Sequence, residues 1–168
     1  MPSRTFSLAL AAFLLLSSVA VIPASAQSVA PRDGWVVIDT EMSFPDLVDR
    51  TRTAIAEAKM GLVTQASASD GARGQGITIP GNRVIGVYRN DYARRMLDAS
   101  IAAGIEAPIR FYLTENPDQT ATLSYKTPSF VFAPYMDEGG EELKALATEL
   151  DGVFQAIAAD ATGKSAGK

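Results

Sequence analysis

Residues 83–97, RVIGVYRNDYARRML, change their period partway along, and this restricts the folds open to the chain more than any other stretch. Val84, Ile85, Val87 and Tyr88 are β-favouring residues that suit a largely buried strand. Tyr92, Ala93, Met96, Leu97 and Ile101 then recur at near-helical spacing. Between the two patterns stands Asn90, whose short acceptor side chain suits a helix N-cap. A strand that runs straight into a helix commits the chain to mixed α and β structure, and α/β proteins often place binding groups at such junctions. The plainer alternative is a core strand followed by solvated arginines.

The rest of the chain supplies partners for this unit. Trp35 to Thr40 reads as a first strand. Ser43, Pro45 and Asp46 form a capping-box-like start to a helix. Its apolar stripe is Leu47, Val48, Thr51, Ala54, Ile55 and Ala58, with Gly61 expected as the residue that ends it. Leu62 to Ala68 is a second strand. Ser69 to Asn82 holds Gly71, Gly74, Gly76, Gly81 and Pro80, and is expected to form a mobile hairpin or lid with Arg73 at its tip. Its GARGQG order does not match a dinucleotide, Walker or EF-hand loop. Gly104 is expected to close the helix that begins near Asn90.

Strands at 108–114 and 120–127 flank an Asn116-Pro117-Asp118-Gln119 turn. Alternation places Ile109, Phe111, Leu113, Ala121, Leu123 and Tyr125 on one face, with Arg110, Tyr112, Thr122, Ser124 and Lys126 on the other. Pro128 to Tyr135 is expected to be a short edge strand or a crossing loop. Asp137, Glu138, Glu141 and Glu142 precede a long helix with the stripe Leu143, Leu146, Ala147, Leu150, Phe154 and Ile157. Acidic residues there complement the helix dipole, and a calcium site is the alternative. These elements predict an α+β fold in two layers, a mainly antiparallel sheet with helices packed on one face, in the order β-α-β-β-α-β-β-α. Trp35, Val37, Gly86, Tyr88 and Tyr112 cannot all point into one core. The second face is therefore half apolar, which predicts a partner subunit or a ligand there, with a homodimer expected.

Phe6 to Ile22 is apolar and ends at Ala24-Ser25-Ala26, a small-x-small cleavage pattern, so residues 1–26 are read as a secretory signal. The alternative is a retained anchor. No other stretch approaches the ~20 apolar residues that cross a bilayer, so no stable membrane insertion is expected after cleavage. Residues 27–34 would be a flexible leader, 35–159 the single folded domain and 160–168 a disordered tail. A periplasmic or secreted location follows. Removing residues 1–26 from the 168 leaves 142, and removing Arg4 from the 15 basic residues leaves 14 against 19 acidic, a net charge of −5. That balance argues against nucleic acid as a partner.

The chain has no histidine and no cysteine. Ser-His-Asp and Cys-His nucleophilic catalysis, ordinary zinc sites and thiol redox chemistry are thereby excluded. No disulfide can form, so stability must come from packing.

Ser43-Phe44 through the first helix to Lys59-Met60-Gly61, Arg83 to Asn90 with Tyr92-Ala93, Thr127-Pro128-Ser129-Phe130 and Phe132 to Tyr135 together resemble the domain of unknown function 302 family. The resemblance covers about residues 35–158. It departs at the start of the middle helix, where the usual Asn-Pro is Arg89-Asn90-Asp91, and in the Gly-rich segment 70–82. It implies a compact α+β domain, often dimeric, with no established activity.

From the residues themselves, the leading expectation is a non-catalytic small-ligand-binding or interaction module acting as a homodimer. Tyr88, Arg89, Tyr92, Arg110, Tyr112, Tyr125 and Tyr135 are the candidate ligand-binding residues, because arginine forks and tyrosine hydroxyls suit a small anionic or aromatic ligand. The competing account makes them half-buried packing and surface ion pairs. The alternative function is an enzyme using carboxylate, lysine or tyrosine chemistry, for instance a Ser124/Lys126 pair. No catalytic residue, metal ligand or cofactor is assigned.

Overall fold

The computed structural model describes residues 29–164. The expected signal at 1–26 lies outside the described residues, as do 27–28 and 165–168. The chain runs through β1 (Trp35–Ser43), α1 (Phe44–Glu57), β2 (Gly61–Ala66), α2 (Ala68–Arg73), β3 (Asn82–Tyr88), α3 (Asn90–Ala99), β4 (Ile109–Glu115), β5 (Thr120–Lys126), α4 (Pro128–Phe132) and α5 (Met136–Thr162). Short 3-10 turns at Ala102–Glu106 and Ala133–Tyr135 precede β4 and α5. The five strands are ordered β1-β5-β4-β3-β2, and every neighbouring pair is antiparallel. This is the expected α+β fold. α1 joins strands at opposite edges of the sheet, with three strands between them.

Period-two alternation sends Ile38, Ile85, Val87, Ile109, Phe111, Leu113, Leu123 and Tyr125 into the core, all buried. The stripes of α1, α3 and α5 meet them there through Leu47, Ile55, Tyr92, Met96, Leu143, Leu150 and Phe154. Phe111 and Phe154 stack with centroids 4.7 Å apart, and Phe111 meets Tyr125 edge-on at 5.3 Å.

Ser43 caps α1 as expected, its hydroxyl accepting from the Asp46 amide at 3.3 Å. Other boundaries differ from the reading of the sequence. α1 ends at Glu57, and the residue in left-handed conformation after it is Lys59 (φ 56°), while Gly61 opens β2. Arg89 holds the N-cap position of α3, Asn90 is its first helical residue, and no side chain bonds the cap. α3 ends at Ala99, so Gly104 lies in the following 3-10 turn. The Gly-rich stretch begins as α2, capped by Ser67 and pinned to β3 where the Ala68 amide donates to Asn82 Oδ1 at 2.9 Å. Pro128–Phe132 is helical, because Thr127 caps it and Pro128 supplies a first-turn φ. The last helix continues past Asp160. Arg50 of α1 donates to the Ala161 and Asp160 carbonyls at 2.8 and 2.9 Å, placing a cation on the α5 C-terminus.

Phe154→Ala opens a cavity where α5 meets β4 and β5. It is expected to cost about 3–5 kcal/mol, read by urea unfolding with an unchanged m-value. A loss below about 1 kcal/mol would show that the aromatic cluster is not central to the core.

Candidate functional site

None of the long helices α1, α3 and α5 lines the groove on the second face of the sheet, which is bordered by the short α2 and α4 and by the 3-10 turns. The side chains of that face fall into transverse rows fixed by strand register. One row holds Trp35, Lys126, Arg110, Gly86 and Thr64; Trp35 pairs with Lys126, Arg110 with Gly86 and Gly86 with Thr64. The next holds Val37, Ser124, Tyr112, Val84 and Ala66. The groove, of about 760 Å³, runs over these rows, bordered by Ala68 of α2 on one side and by Phe130, Val131 and Pro134 on the other. Glu106, Ile109 and Tyr125 complete its lining with Asn82 and Ala133.

Local sequence explains each wall. Gly34 sits at φ 73°, and a Cβ there would meet the Phe130 ring at 2.1 Å, so the aromatic wall can seat only against glycine. A Cβ on Gly86 would meet Thr64 Oγ1 at 2.2 Å and Pro108 Cγ at 2.8 Å. Trp35, the chain's single tryptophan, lies under two cations, with Arg32 4.9 Å and Lys126 5.8 Å from its ring centroid. Arg110 and Lys126 are exposed, and among the described residues neither forms an ion pair. The one carboxylate in the lining, Glu106, accepts from the Tyr135 hydroxyl at 2.9 Å.

The seven candidate residues therefore do not share one environment. Arg110, Tyr112 and Tyr125 line the groove. Tyr135 touches it only through Glu106, whose hydrogen bond raises the phenol's pKa. Tyr88, Arg89 and Tyr92 border a separate crevice of about 40 Å³ over Met96 and Phe132. Arg89 has the same strand parity as Ile85 and Val87, which sends it to the helix side. There it grips Asp91 with two bonds, 2.7 and 2.9 Å, and lies 3.9 Å from the Tyr92 ring centroid. Tyr92 donates to Glu149 of α5 at 2.8 Å, and Arg95 donates to the other oxygen of the same carboxylate at 2.8 Å. This network ties α3 to α5. Trp35, Lys126, Glu106, Phe130 and Val84 were not among the candidates. Only the open-face parity of Trp35 and Lys126 gave a sequence signal for any of them.

The hydroxyl of the expected Ser124/Lys126 pair is engaged elsewhere. Ser124 is buried and donates to the Tyr112 carbonyl at 3.3 Å. Burial, aided by nearby Asp151, pushes the Tyr125 phenol up to about 12, far from a working base near neutrality. In the acidic stretch, Glu138 accepts from Ser100, and Gly140 (φ 56°) breaks the helical path of α5. Among the described residues no acidic cluster is arranged to hold a metal ion.

Arg95 and then Tyr92 hold the Glu149 carboxyl below its ordinary 4.5 through hydrogen bonds to its charged form. A depressed folded-state value contributes stability that is present above the unfolded value and lost as pH falls through the folded one. Glu149→Gln should therefore flatten the decline of stability below about pH 4.5. The change is expected to be about 0.2–1 kcal/mol, as for other half-exposed pairs. Denaturant unfolding across pH 2–7 reads it, and an unaltered acid limb would remove Glu149 from the account.

The family model for domain of unknown function DUF302 matches residues 36–158. A crystal structure of an uncharacterized conserved DUF302 protein from Bacillus stearothermophilus superimposes with a TM-score of 0.65 at 14% identity, covering 75% of this chain and 96% of that one. At that identity the likeness concerns the fold. No curated protein gives a significant match. With most of its length spanned by the family model and the same sheet-and-helix fold in a solved relative, the chain belongs to the DUF302 family.

Proposed function

We propose that this chain is an exported, non-catalytic binding module of the periplasm or extracellular space, holding a small anionic ligand in the open-face groove and acting as a homodimer. The observation that carries the reading is the pairing of Arg110 and Lys126, exposed and without carboxylate partners among the described residues, with an apolar and aromatic groove of about 760 Å³. That volume falls within the range of small-molecule sites. In a protein with an excess of acid, two free cations beside one another on a sheet face favour an anion.

Export is supported by the apolar run Phe6–Ile22 and the Ala24-Ser25-Ala26 pattern after it. Among the described residues no helix is long and apolar enough to cross a membrane. The homodimer draws support from Leu97, Ile101 and Ile105, aliphatic residues 44%, 82% and 80% exposed around the end of α3 and the 3-10 turn after it. This surface lies outside the groove lining, so self-association and ligand binding are separable.

Native mass spectrometry of the chain purified from its own compartment tests the binding reading. The expected result is a non-covalent mass that disappears in Arg110→Ala; a clean chain with a bound protein instead would favour an interaction role for the same face. Sedimentation tests the dimer separately. Ile101→Glu should shift a micromolar dimer to monomer while leaving the fold intact, and a wild-type monomer at high micromolar concentration would sink the proposal.

A further inference from the structure

We propose that the groove selects monocarboxylates with a flat apolar body over phosphate esters and neutral compounds of the same shape, with the Arg110 guanidinium as the fork that holds the carboxylate. The inference rests on the binding reading above and names its ligand class.

The charge of the lining decides the head group. Arg110 and Lys126 bring two positive charges and Glu106 one negative, so the groove carries a net +1 in a chain whose total is −4. A monoanion neutralises that site. A phosphate dianion would leave it negative beside Glu106, whose hydrogen bond from Tyr135 fixes the carboxylate in place. A neutral ligand would desolvate both cations with nothing to pair them. Arg110 has no competing acceptor among the described residues, so its planar set of donors is free for a two-oxygen carboxylate.

The body follows from the spacing of the rows. Tyr112 and Val84 lie two residues along their strands from Arg110 and Gly86, about 7 Å away. Trp35 stands beside Lys126 at the edge of the cationic row, and Phe130, seated against Gly34, adds a second aromatic ring on the same side of the groove. An anion on Arg110 thus has an aromatic and aliphatic surface within one ring's length. Flat aryl groups fill such a space with little conformational cost.

Isothermal titration of the mature chain at low salt compares naphthoate, naphthyl phosphate and naphthalenemethanol. Naphthoate is expected to bind saturably and about tenfold or more tighter than the other two. Arg110→Ala should weaken naphthoate by about tenfold or more, with Arg110→Lys restoring only part of the loss. Val84→Trp, which fills the groove floor, should abolish binding. Ala66→Trp, at an exposed edge-strand position, serves as a second blocking variant should Val84→Trp fail to fold. If the phosphate or the alcohol binds as tightly as naphthoate and the blocking variants remove that binding, the ligand class is wrong and the groove reading stands. If no probe binds, or if binding ignores both blocking variants, the groove reading falls with it.

Discussion

Apart from irregularities in β1 and β2, side chains along the five strands alternate between the helix side and the open side, and among the described residues there is one layer of long helices to cover them. That imbalance shapes the molecule. α1, α3 and α5 together satisfy the inward set, from Ile38 at one edge to Val87 near the other, around the stacked rings of Phe111 and Phe154. The outward set includes Trp35, Val37, Val84 and Tyr112, which are too apolar for an ordinary wetted surface and too few to make a second core. Small residues soften the difference, since Thr122 and Ser124 are buried there with their hydroxyls bonded to neighbours. What is left over is the groove.

The arginines divide according to which side their strand parity and position send them. Arg89 is held by a carboxylate two residues on and by an aromatic ring, Arg95 by Glu149, Arg50 by the carbonyls at the end of α5. Arg95 closes a contact between α3 and α5, Arg50 caps α5, and Arg89 braces the first turn of α3. Arg110 belongs to the opposite parity, projects from a central strand with Gly86 as its neighbour on one side, and finds no acceptor among the described residues. Identical chemistry is engaged at Arg89, Arg95 and Arg50 and available at Arg110. A tyrosine follows the same division: Tyr92 is locked to Glu149, while Tyr112 lies in the groove.

Much of this was legible in the sequence because it depends on period alone. The stripes of α1 and α5, the cap at Ser43 and the faces of the β4–β5 hairpin all follow from spacing over short windows, and so did the shared face of Arg110, Tyr112 and Lys126. Events at boundaries were less visible. The step from extended to helical backbone occurs at Arg89, one residue before the better capping side chain, since the strand's pairing with Gly61 ends at Tyr88. α2 is capped locally by Ser67, whose hydroxyl accepts from the Asp70 amide, but its seat against β3 comes from Asn82, fourteen residues beyond Ala68, a contact no local pattern announces. The site was half legible for the same reason. Neighbours in sequence, Tyr88, Arg89 and Tyr92, suggested a cluster with Arg110 that the sheet keeps apart. Trp35 and Lys126, 91 positions apart, are direct strand partners.

The edge-to-edge path of α1 also bears on the entropy of closing the sheet. β1 finds its hydrogen-bonding partner only in β5, and β2 only in β3. A chain emerging from its N-terminus thus presents two strands and a helix with no sheet to join, and the ladder at β1 waits for residues up to Lys126. Loop closure on that scale is an entropic cost met before the contacts that reward it. By that measure the β1–β5 ladder, with Trp35 and Lys126 91 positions apart, carries the largest closure cost in the sheet, whereas β2 pairs with β3 across 18 to 27 positions.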